Sequence, residues 1–235
     1  SPAPVLPSLL WALDRAYLWV CRQRRDYPAD ADIWDLRFHW QTERPCLEDE
    51  LREGRFRFGP LQIITKADGE CLHLWRARDA LVLKALALVL TPLLRLSPRC
   101  VHVKGHGGLK AAVREVQQRL PDYGHVLRTD VKGFYENIDQ STLLAQLAEQ
   151  ISEPLILHLL RQAIERTAER GGLYRDIRTG KSRGYPLSPL LGALYLRVLD
   201  EQLSQREVYY VRYMDDILVL TKTRWQLRRA VRTLN

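Results

Sequence analysis

The chain has 235 residues, and its 36 lysines and arginines exceed its 28 aspartates and glutamates by eight charges. Apolar residues make up 46% of the sequence and charged residues 27%, which excludes a wholly disordered, collagen-like or coiled-coil chain. A net charge of +8 favours a polyanionic partner such as nucleic acid, although net charge carries no information about the fold.

Cysteine spacing and hydrophobicity indicate an intracellular protein. The four cysteines are scattered without a close pair, so the sequence predicts neither a zinc knuckle nor a disulfide framework. Residues 80–96 resemble a membrane span, but this stretch contains Lys84 and Pro92 and is shorter than the ~20 apolar residues that a bilayer requires. We therefore predict a buried helix at these residues and no contact with a membrane.

In the first half of the chain, apolar residues first recur at helical spacing and then alternate as they do in strands. The spacing predicts three helices, at residues 9–25, 31–40 and 47–54. Residues 55–66 and 71–76 alternate as strands, and the Asp-Gly turn between them predicts a hairpin.

The second half mixes short strands with helices. A glycine-rich turn at residues 105–108 precedes a predicted helix, and a later helix is capped by Asp139 or Ser141. Residues 171–183 form a basic stretch with a β-like pattern. The remaining predicted helices are 109–120, 155–169, 190–203 and 224–235, and the predicted strands are 126–131, 208–213 and 217–220. The sequence thus predicts an α+β fold without a linker between autonomous domains.

Two adjacent acids, Asp215 and Asp216, lie between two strongly apolar strands. Such acids repel each other in a hairpin turn and gain nothing structurally unless a cation binds. Asp130 stands near the end of another strand, on the same face as Arg128. Three carboxylates from two strand systems could hold two Mg²⁺ ions ~3.5–4 Å apart, as in-line phosphoryl transfer requires.

Three ordered motifs carry a resemblance to a known family. They are VRYMDDILV at residues 211–219, DVKGFYENID at residues 130–139 and GYPLSPLL at residues 184–191. Together they resemble the reverse transcriptases, particularly the bacterial group II intron and group II-like enzymes, over residues 63–235. The resemblance implies a cytoplasmic bacterial protein of retroelement type.

The resemblance implies an RNA-directed DNA polymerase that adds dNTPs to a DNA or RNA primer on an RNA or DNA template. Asp130 and Asp215 match the family's principal metal ligands, Asp216 completes the acidic cluster, and Val131 supplies a backbone carbonyl. The implied cofactor is a pair of Mg²⁺ ions, for which Mn²⁺ could substitute. The implied partners are the template, the primer and dNTPs, and the oligomeric state stays open.

Two positions match the family's contacts to the incoming nucleotide. Tyr135 matches the bulky position that excludes a ribose 2′ hydroxyl, and Lys66 in the predicted hairpin matches the lysine that contacts the triphosphate. Both residues also have ordinary structural interpretations, since an aromatic ring often belongs to a core and a lysine often solubilises a hairpin edge.

The sequence departs from the family pattern at two places. The usual Gln-Gly of the middle motif is Arg183-Gly184, and a guanidinium can contact a phosphate or stack on a base without being equivalent to Gln. The family's second triphosphate-binding residue, an Arg after the finger turn, has no match at the expected place. Arg76 or Arg78 could substitute for it.

The resemblance also suggests template and primer contacts. Pro186 and Ser188 belong to the middle motif, and Tyr213 precedes the paired acids. Lys104 and Lys110 flank the glycine-rich turn and could follow the template backbone at a helix amino terminus, although a plain glycine turn fits equally well.

The implied architecture is the fingers and palm of the right-hand polymerase fold, with a palm made of a small antiparallel sheet backed by helices. Fingers with an N-terminal helical extension are expected at residues 1–99 with a return at 140–182, and palm at 100–139 and 183–235. The family's thumb is expected to be absent, which predicts weak activity for this chain alone. Two alternatives stay open: an RNA-binding, maturase-like module with little or no synthesis, and a primer-independent nucleotidyltransferase.

Overall fold

The computed structural model describes residues 4–65, 71–131, 134, 137–168 and 185–234, without the side chains of residues 63–65, 71–73 and 167–168. The chain divides into two units. Unit 1 comprises Ser1–Leu93 and Leu144–Ser188, and unit 2 comprises Leu94–Leu143 and Pro189–Asn235.

The described residues form helices and two small sheets. In chain order the elements are α1 (Val5–Gln23), α2 (Asp32–Phe38), α3 (Trp40–Arg52), β1 (Gln62–Thr65), β2 (Cys71–Leu74), α4 (Ala77–Leu93), α5 (Gly108–Arg119), β3 (His125–Asp130), α6 (Gln140–Ala148), α7 (Pro154–Ala168), α8 (Ser188–Tyr195), α9 (Arg197–Ser204), β4 (Tyr209–Tyr213), β5 (Asp216–Thr221) and α10 (Arg224–Leu234). This mixture of helices and antiparallel strands confirms the predicted α+β class.

The sheet of unit 2 has the strand order β3-β5-β4, and both pairings are antiparallel. Its inner face packs against α9 and α10, where Ile217 and Val219 of the sheet meet Leu203 and Ala230 of the helices. The predicted alternation along β3 is confirmed, because Arg128 and Asp130 are exposed while Leu127 and Thr129 are half-buried. Two helices therefore cover one face of the sheet, and the other face presents the acidic strand end.

The apolar helix α4 lies in the core of unit 1. Ten of its seventeen residues are buried, and it packs along α1. Lys84, the charge that argued against a membrane span, places its ammonium 4.6 Å from the ring centre of Trp19. Among the described residues no helix is both long and apolar enough to cross a membrane.

The predicted strand at residues 55–66 is wrong over its first half, since only Gln62–Thr65 pairs in a hairpin. Phe56 and Phe58 are buried and meet edge to face, with ring centres 5.0 Å apart. Arg166 donates a hydrogen bond to the Phe58 carbonyl, and Gly59 N–H donates to Asp79 Oδ2 over 2.9 Å. Side chains from other elements thus replace the strand partner that the pattern implied.

The predicted helix at residues 190–203 is two helices that meet at Leu196, whose φ of −85° and ψ of 9° leave the helical range. The second of them, α9, carries the buried Asp200.

The helix cap at α6, for which the sequence offered two residues, is Asp139. Its Oδ1 accepts hydrogen bonds from Thr142 N–H and the Ser141 hydroxyl. These bonds hold the pKa of Asp139 at about 2.

Asp79→Asn tests the contact at the base of the hairpin. Burial raises the pKa of Asp79 to about 6, against the opposing effects of the Gly59 N–H and Arg76. Because the folded protein holds this proton more tightly than the unfolded chain, its stability is lost as pH rises from about 4 to 6, by about 3 kcal/mol. The asparagine keeps an acceptor for Gly59 and cannot ionise. In urea unfolding, the free energy of unfolding of the variant should therefore rise relative to that of the parent as pH increases over this window. The exposed Asp30→Asn serves as control, and identical pH profiles for both variants would contradict the assignment.

Candidate active site

Strand pairing brings the predicted catalytic residues to one end of the unit 2 sheet. Asp130 at the end of β3 lies directly opposite Asp216 at the start of β5. The Val131 N–H donates a hydrogen bond to the Asp215 carbonyl, with the two atoms 3.3 Å apart. Residues 86 and 84 positions apart in sequence thus become neighbours, because two antiparallel strands end at the same edge.

The acids lie on the open face of the sheet. Directly opposite residues of an antiparallel pair project to the same side, so Asp130 and Asp216 share the face that also carries Arg128. Arg128 Nη2 lies 3.7 Å from Asp216 Oδ1, but these side chains are 80% and 55% exposed, so water screens the pair. The sheet end is thus an accessible acidic edge, and Arg128 is a loosely held cation beside it.

The donor atoms at this edge fit a hard divalent cation. The Asp130 and Asp215 carboxylates and the Val131 carbonyl offer only oxygen, the ligand that Mg²⁺ prefers. Among the residues that the structure describes, no group of three or more His, Cys, Asp or Glu side chains is gathered into a metal site. The fit therefore rests on two carboxylates joined by the backbone contact between Val131 and Asp215.

The turn that carries Asp215 is held through the residue before it. Met214 has a φ of 55°, and within the described ranges it is the one non-glycine residue with a positive φ. Its N–H donates to His102 Nδ1 over 2.9 Å, and its carbonyl accepts from Arg212 Nη1 over 2.7 Å. A left-handed conformation costs a methionine of order 1 kcal/mol, and two side chains hold both polar groups of this residue in it.

Arg212 is itself held by a buried carboxylate. Its Nε and Nη2 lie 3.1 and 2.6 Å from the two oxygens of Asp200, and both side chains are almost completely buried. Nη2 also donates to the Ala193 carbonyl over 3.2 Å. Burial by itself would lower the pKa of Arg212, but the Asp200 carboxylate outweighs burial and raises it. The arginine is therefore a permanent cation with fixed geometry.

His102 completes this support in its neutral form. Its Nε2 lies 2.9 Å from the Pro189 carbonyl and acts as the donor, which leaves Nδ1 as the acceptor for Met214. Burial lowers the pKa of His102 to about 4, and the nearby Arg212 acts in the same direction. The neighbouring His106 makes a different contact, since its Nδ1 lies 3.0 Å from the Cys100 carbonyl oxygen.

Sequence reasoning missed His102, Arg212 and Asp200 as supports of the turn. A usable signal existed for Arg212, because a charged residue at an inward-facing position of an apolar strand requires a buried partner. No comparable signal marks His102, whose partners Met214 and Pro189 are 112 and 87 residues away.

The predicted template and primer residues of unit 2 are partly brought together. An open cleft of about 610 Å³ is lined by Lys104, Tyr213 and the glycine-rich turn, in which Gly105, Gly107 and Gly108 have positive φ. Lys110 is exposed on α5 outside the lining of this cleft.

Beside the acids runs an apolar groove of about 490 Å³. The exposed Leu109 and Val113 of α5 form one wall, and the open face of the sheet forms the other. Arg128 and Asp216 are the charged residues in its lining. The groove therefore joins an apolar wall directly to the acidic edge.

The two arginines predicted as nucleotide contacts in unit 1 differ in whether their side chains already have partners. Arg78 is engaged, because its guanidinium donates to both oxygens of Glu50 over 2.9 and 3.0 Å and to Glu43 over 3.1 Å. Arg76 is exposed, and its side chain makes no hydrogen bond or ion pair with another described residue.

The middle motif is described from its second residue onward. Pro186 is half-buried, and Ser188 is buried at the start of α8. The ring of Tyr185 stacks on Trp75 at 5.5 Å, which makes both rings part of the core. Lys66, Tyr135, Arg183 and Gly184 lie outside the described residues.

Titration of His102 tests the support of the turn. The pKa of His102 in the folded protein, about 4, lies below the ordinary value of 6.5. The neutral ring therefore makes its full contribution to folding stability above pH 6.5, and roughly 3 kcal/mol of that stability is lost as pH falls towards 4. Ring NMR signals should titrate near pH 4. The difference in unfolding free energy between the parent and His102→Asn should change over the same window. A ring that titrates near pH 6.5 would contradict the burial and the two hydrogen bonds.

Comparisons with known proteins agree with this geometry. The family profile described as "Reverse transcriptase (RNA-dependent DNA polymerase)" matches residues 73–235. An "uncharacterized 91 kDa protein in cob intron" of Schizosaccharomyces pombe is 26% identical over 160 residues, which are 64% of this chain and 20% of that protein.

Two solved structures share the fold. A "Partial Cas6-RT-Cas1--Cas2 complex" and a "Cas6-RT-Cas1--Cas2 complex" each contain a chain that is 20% identical, with a TM-score of 0.52 over 94% of this chain. The chain covers 39% and 24% of those two chains, so it spans less than half of the relatives it matches.

At this identity the structural likeness shows the fold alone, and with the mixed α+β architecture it confirms the expected fingers-and-palm class. The family profile covers more than two thirds of the sequence and includes the strand of Asp130 and the turn of Asp215 and Asp216. The chain belongs to the reverse transcriptase family.

Proposed function

We propose that the chain is the fingers and palm of an RNA-directed DNA polymerase that extends a primer 3′ hydroxyl with dNTPs on an RNA or DNA template. One observation carries the proposal: the register that sets Asp130 opposite Asp216, with Asp215 in the adjoining turn bonded to Val131. Family membership supports the reaction class, and the register supports the residues.

The residues at the sheet end hold the reacting groups. Asp130, Asp215 and the Val131 carbonyl would hold two Mg²⁺ ions, which supply activation of the primer hydroxyl and neutralisation of the triphosphate charge. Asp216 adds negative charge beside them, and its loose contact with Arg128 leaves it free to turn towards a cation. Positioning and charge neutralisation are then the main contributions of the protein.

We relate the fingers and the palm to the two units of the structure. We assign fingers to residues 1–99 and 140–182, and palm to residues 100–139 and 183–235. The hairpin β1–β2 and helix α4 lie in unit 1, and the three-stranded sheet lies in unit 2.

The incoming nucleotide is assigned to residues of both segments. Lys66 contacts the triphosphate, Tyr135 excludes a 2′ hydroxyl, and Arg183 with Gly184 contacts the base-pair region. Arg76 is the better candidate than Arg78 for a second phosphate contact, because the donors of Arg78 already point at Glu43 and Glu50. Lys104, Lys110, Pro186, Ser188 and Tyr213 are assigned to the template and primer.

His102 and Arg212 act as positioning residues. They bind the two polar backbone groups of Met214, and a shift of this peptide would move the Asp215 carboxylate next to it. Because metal sites tolerate little displacement of their ligands, a rigid turn lets Asp215 meet the cation without further ordering.

Asp215→Asn tests the acidic edge. Neutralising this ligand should abolish primer extension on RNA and DNA templates and weaken Mn²⁺ binding, measured by electron paramagnetic resonance, by tenfold or more. Glu201→Gln, an exposed carboxylate of α9, is the control for lost charge.

Extension that survives Asp215→Asn would overturn the metal assignment. A parent chain that binds no Mn²⁺ and no dNTP but binds RNA would support the maturase-like module instead. Products formed without primer would support the primer-independent nucleotidyltransferase.

Variants of His102 test the positioning role. His102→Ala removes the acceptor for Met214 N–H and should weaken Mn²⁺ binding about tenfold and lower kcat with little change in the KM for dNTP. His102→Asn keeps an acceptor near the place of Nδ1 and should recover most of both losses. His106→Ala is the matched control, since His106 contacts Cys100 and not the turn. Equal behaviour of His102→Ala and His102→Asn would show that the acceptor has no role.

A further inference from the structure

The last described helix, α10, has four arginines and no acidic residue, a charge of +4 within a chain of net charge +8. Residues 222–234 contain five basic residues and no acidic one, against +8 for the whole chain. Five side chains of this helix are exposed, and we call them the α10 arginine face: Arg224, Trp225, Arg228, Arg229 and Arg232. With 3.6 residues per turn they occupy a continuous arc of about 140°.

The cations of this face are available. None of its four arginines forms an ion pair with a side chain in the described part of the protein. Arg229 lies over the ring of Trp225, with its guanidinium carbon 4.4 Å from the ring centre. The Trp225 side chain is nevertheless 62% exposed, so a large aromatic surface remains open to solvent beside the arginines.

A second basic region, residues 99–119 with five basic residues and one acidic residue, is different. Arg99 and Arg119 both bind Glu115, with nitrogen to oxygen distances of 3.1 and 3.0 Å. Both guanidinium groups also lie over the ring of Tyr209, at 4.8 and 4.6 Å. Arg99 and Arg119 are thus paired with Glu115 and Tyr209, whereas the arginines of α10 have no acidic partner among the described residues.

A membrane surface is a poor match for this face. Basic amphipathic helices bind bilayers through their apolar side, but in α10 that side packs on the sheet, where Ala230 and Leu234 join the cluster around Ile217 and Val219. The exposed side chains of α10 are four arginines and one indole. The partner should therefore be anionic and should offer flat surfaces on which an indole can stack.

Single-stranded RNA offers both features. Arg224, Arg228 and Arg232 follow each other by one turn, about 6 Å along the axis, a spacing comparable to that of successive phosphates on one strand. Arginine binds phosphate with a planar fork, and exposed aromatic rings stack on unpaired bases. An acidic polypeptide would match the charge but would not use the ring.

We propose that the α10 arginine face binds single-stranded RNA, with arginines on the phosphates and Trp225 stacked on a base. This site is separate from the acidic edge, because α10 packs on the inner face of the sheet and Asp130 lies on the open face. The proposal does not depend on polymerase activity.

The test is the salt dependence of RNA binding in EDTA, which removes any contribution from metal ions. Fluorescence anisotropy of a labelled single-stranded RNA is measured with the 235-residue chain over a range of NaCl concentrations. Arg228→Ala with Arg232→Ala should lower the slope of log K against log salt by about 1.4 and weaken binding about tenfold at 0.15 M salt. Trp225→Ala should weaken binding at least fivefold without changing the slope, and Trp225→Phe should restore most of the loss.

The matched control is Arg15→Ala with Arg22→Ala, which removes two exposed charges from α1. Unfolding midpoints show that each variant folds. If both double variants lost the same RNA affinity, net charge alone would explain the effect, and the proposal would be overturned. Polyglutamate or anionic vesicles that compete as well as RNA, together with an unaffected Trp225→Ala, would assign the face to a different anion.

Discussion

The buried ion pair between Arg212 and Asp200 is the interaction on which the candidate site depends. Both groups are withdrawn from water, so each requires the other, and removal of one partner of such a pair typically costs about 3–5 kcal/mol. The pair fastens β4 to α9 and leaves Nη1 of Arg212 to bind the Met214 carbonyl. A pair that is costly to bury thus provides a fixed donor directly before Asp215, and His102 fixes the opposite side of the same residue.

The sheet of unit 2 separates the acidic edge from the α10 arginine face. Asp130 and Asp216 lie on its open face, whereas the inner face supports α10 with its exposed arginines. If the free arginines stood beside the carboxylates, they would neutralise the charge that a divalent cation needs. Arg128 at the acidic edge is exposed and loosely held, so it competes weakly with a divalent cation. This arrangement permits a metal centre and a polyanion-binding surface in one small unit.

Much of the fold follows from local patterns. Helical spacing of apolar residues predicted the α-helices of the described chain to within a few residues, except that α3 begins seven residues before its predicted start and that residues 190–203 form two helices. The pattern failed where side chains from distant elements replaced local partners. At residues 55–61 a strand-like alternation is bound by Asp79, Gln162 and Arg166, which no local window contains. The position of β1 was therefore only half correct.

The sequence by itself determined the family and the strands at whose ends the acids stand, because these depend on short motifs and on alternation along single strands. Only the tertiary structure decided which charged residues are available. Arg78 is engaged by Glu43 and Glu50 while Arg76 is exposed, and Arg99 is paired while the arginines of α10 are not. The support of Met214 by His102 spans 112 residues. Such contacts depend on which elements pack together, and that is a property of the whole fold rather than of any segment.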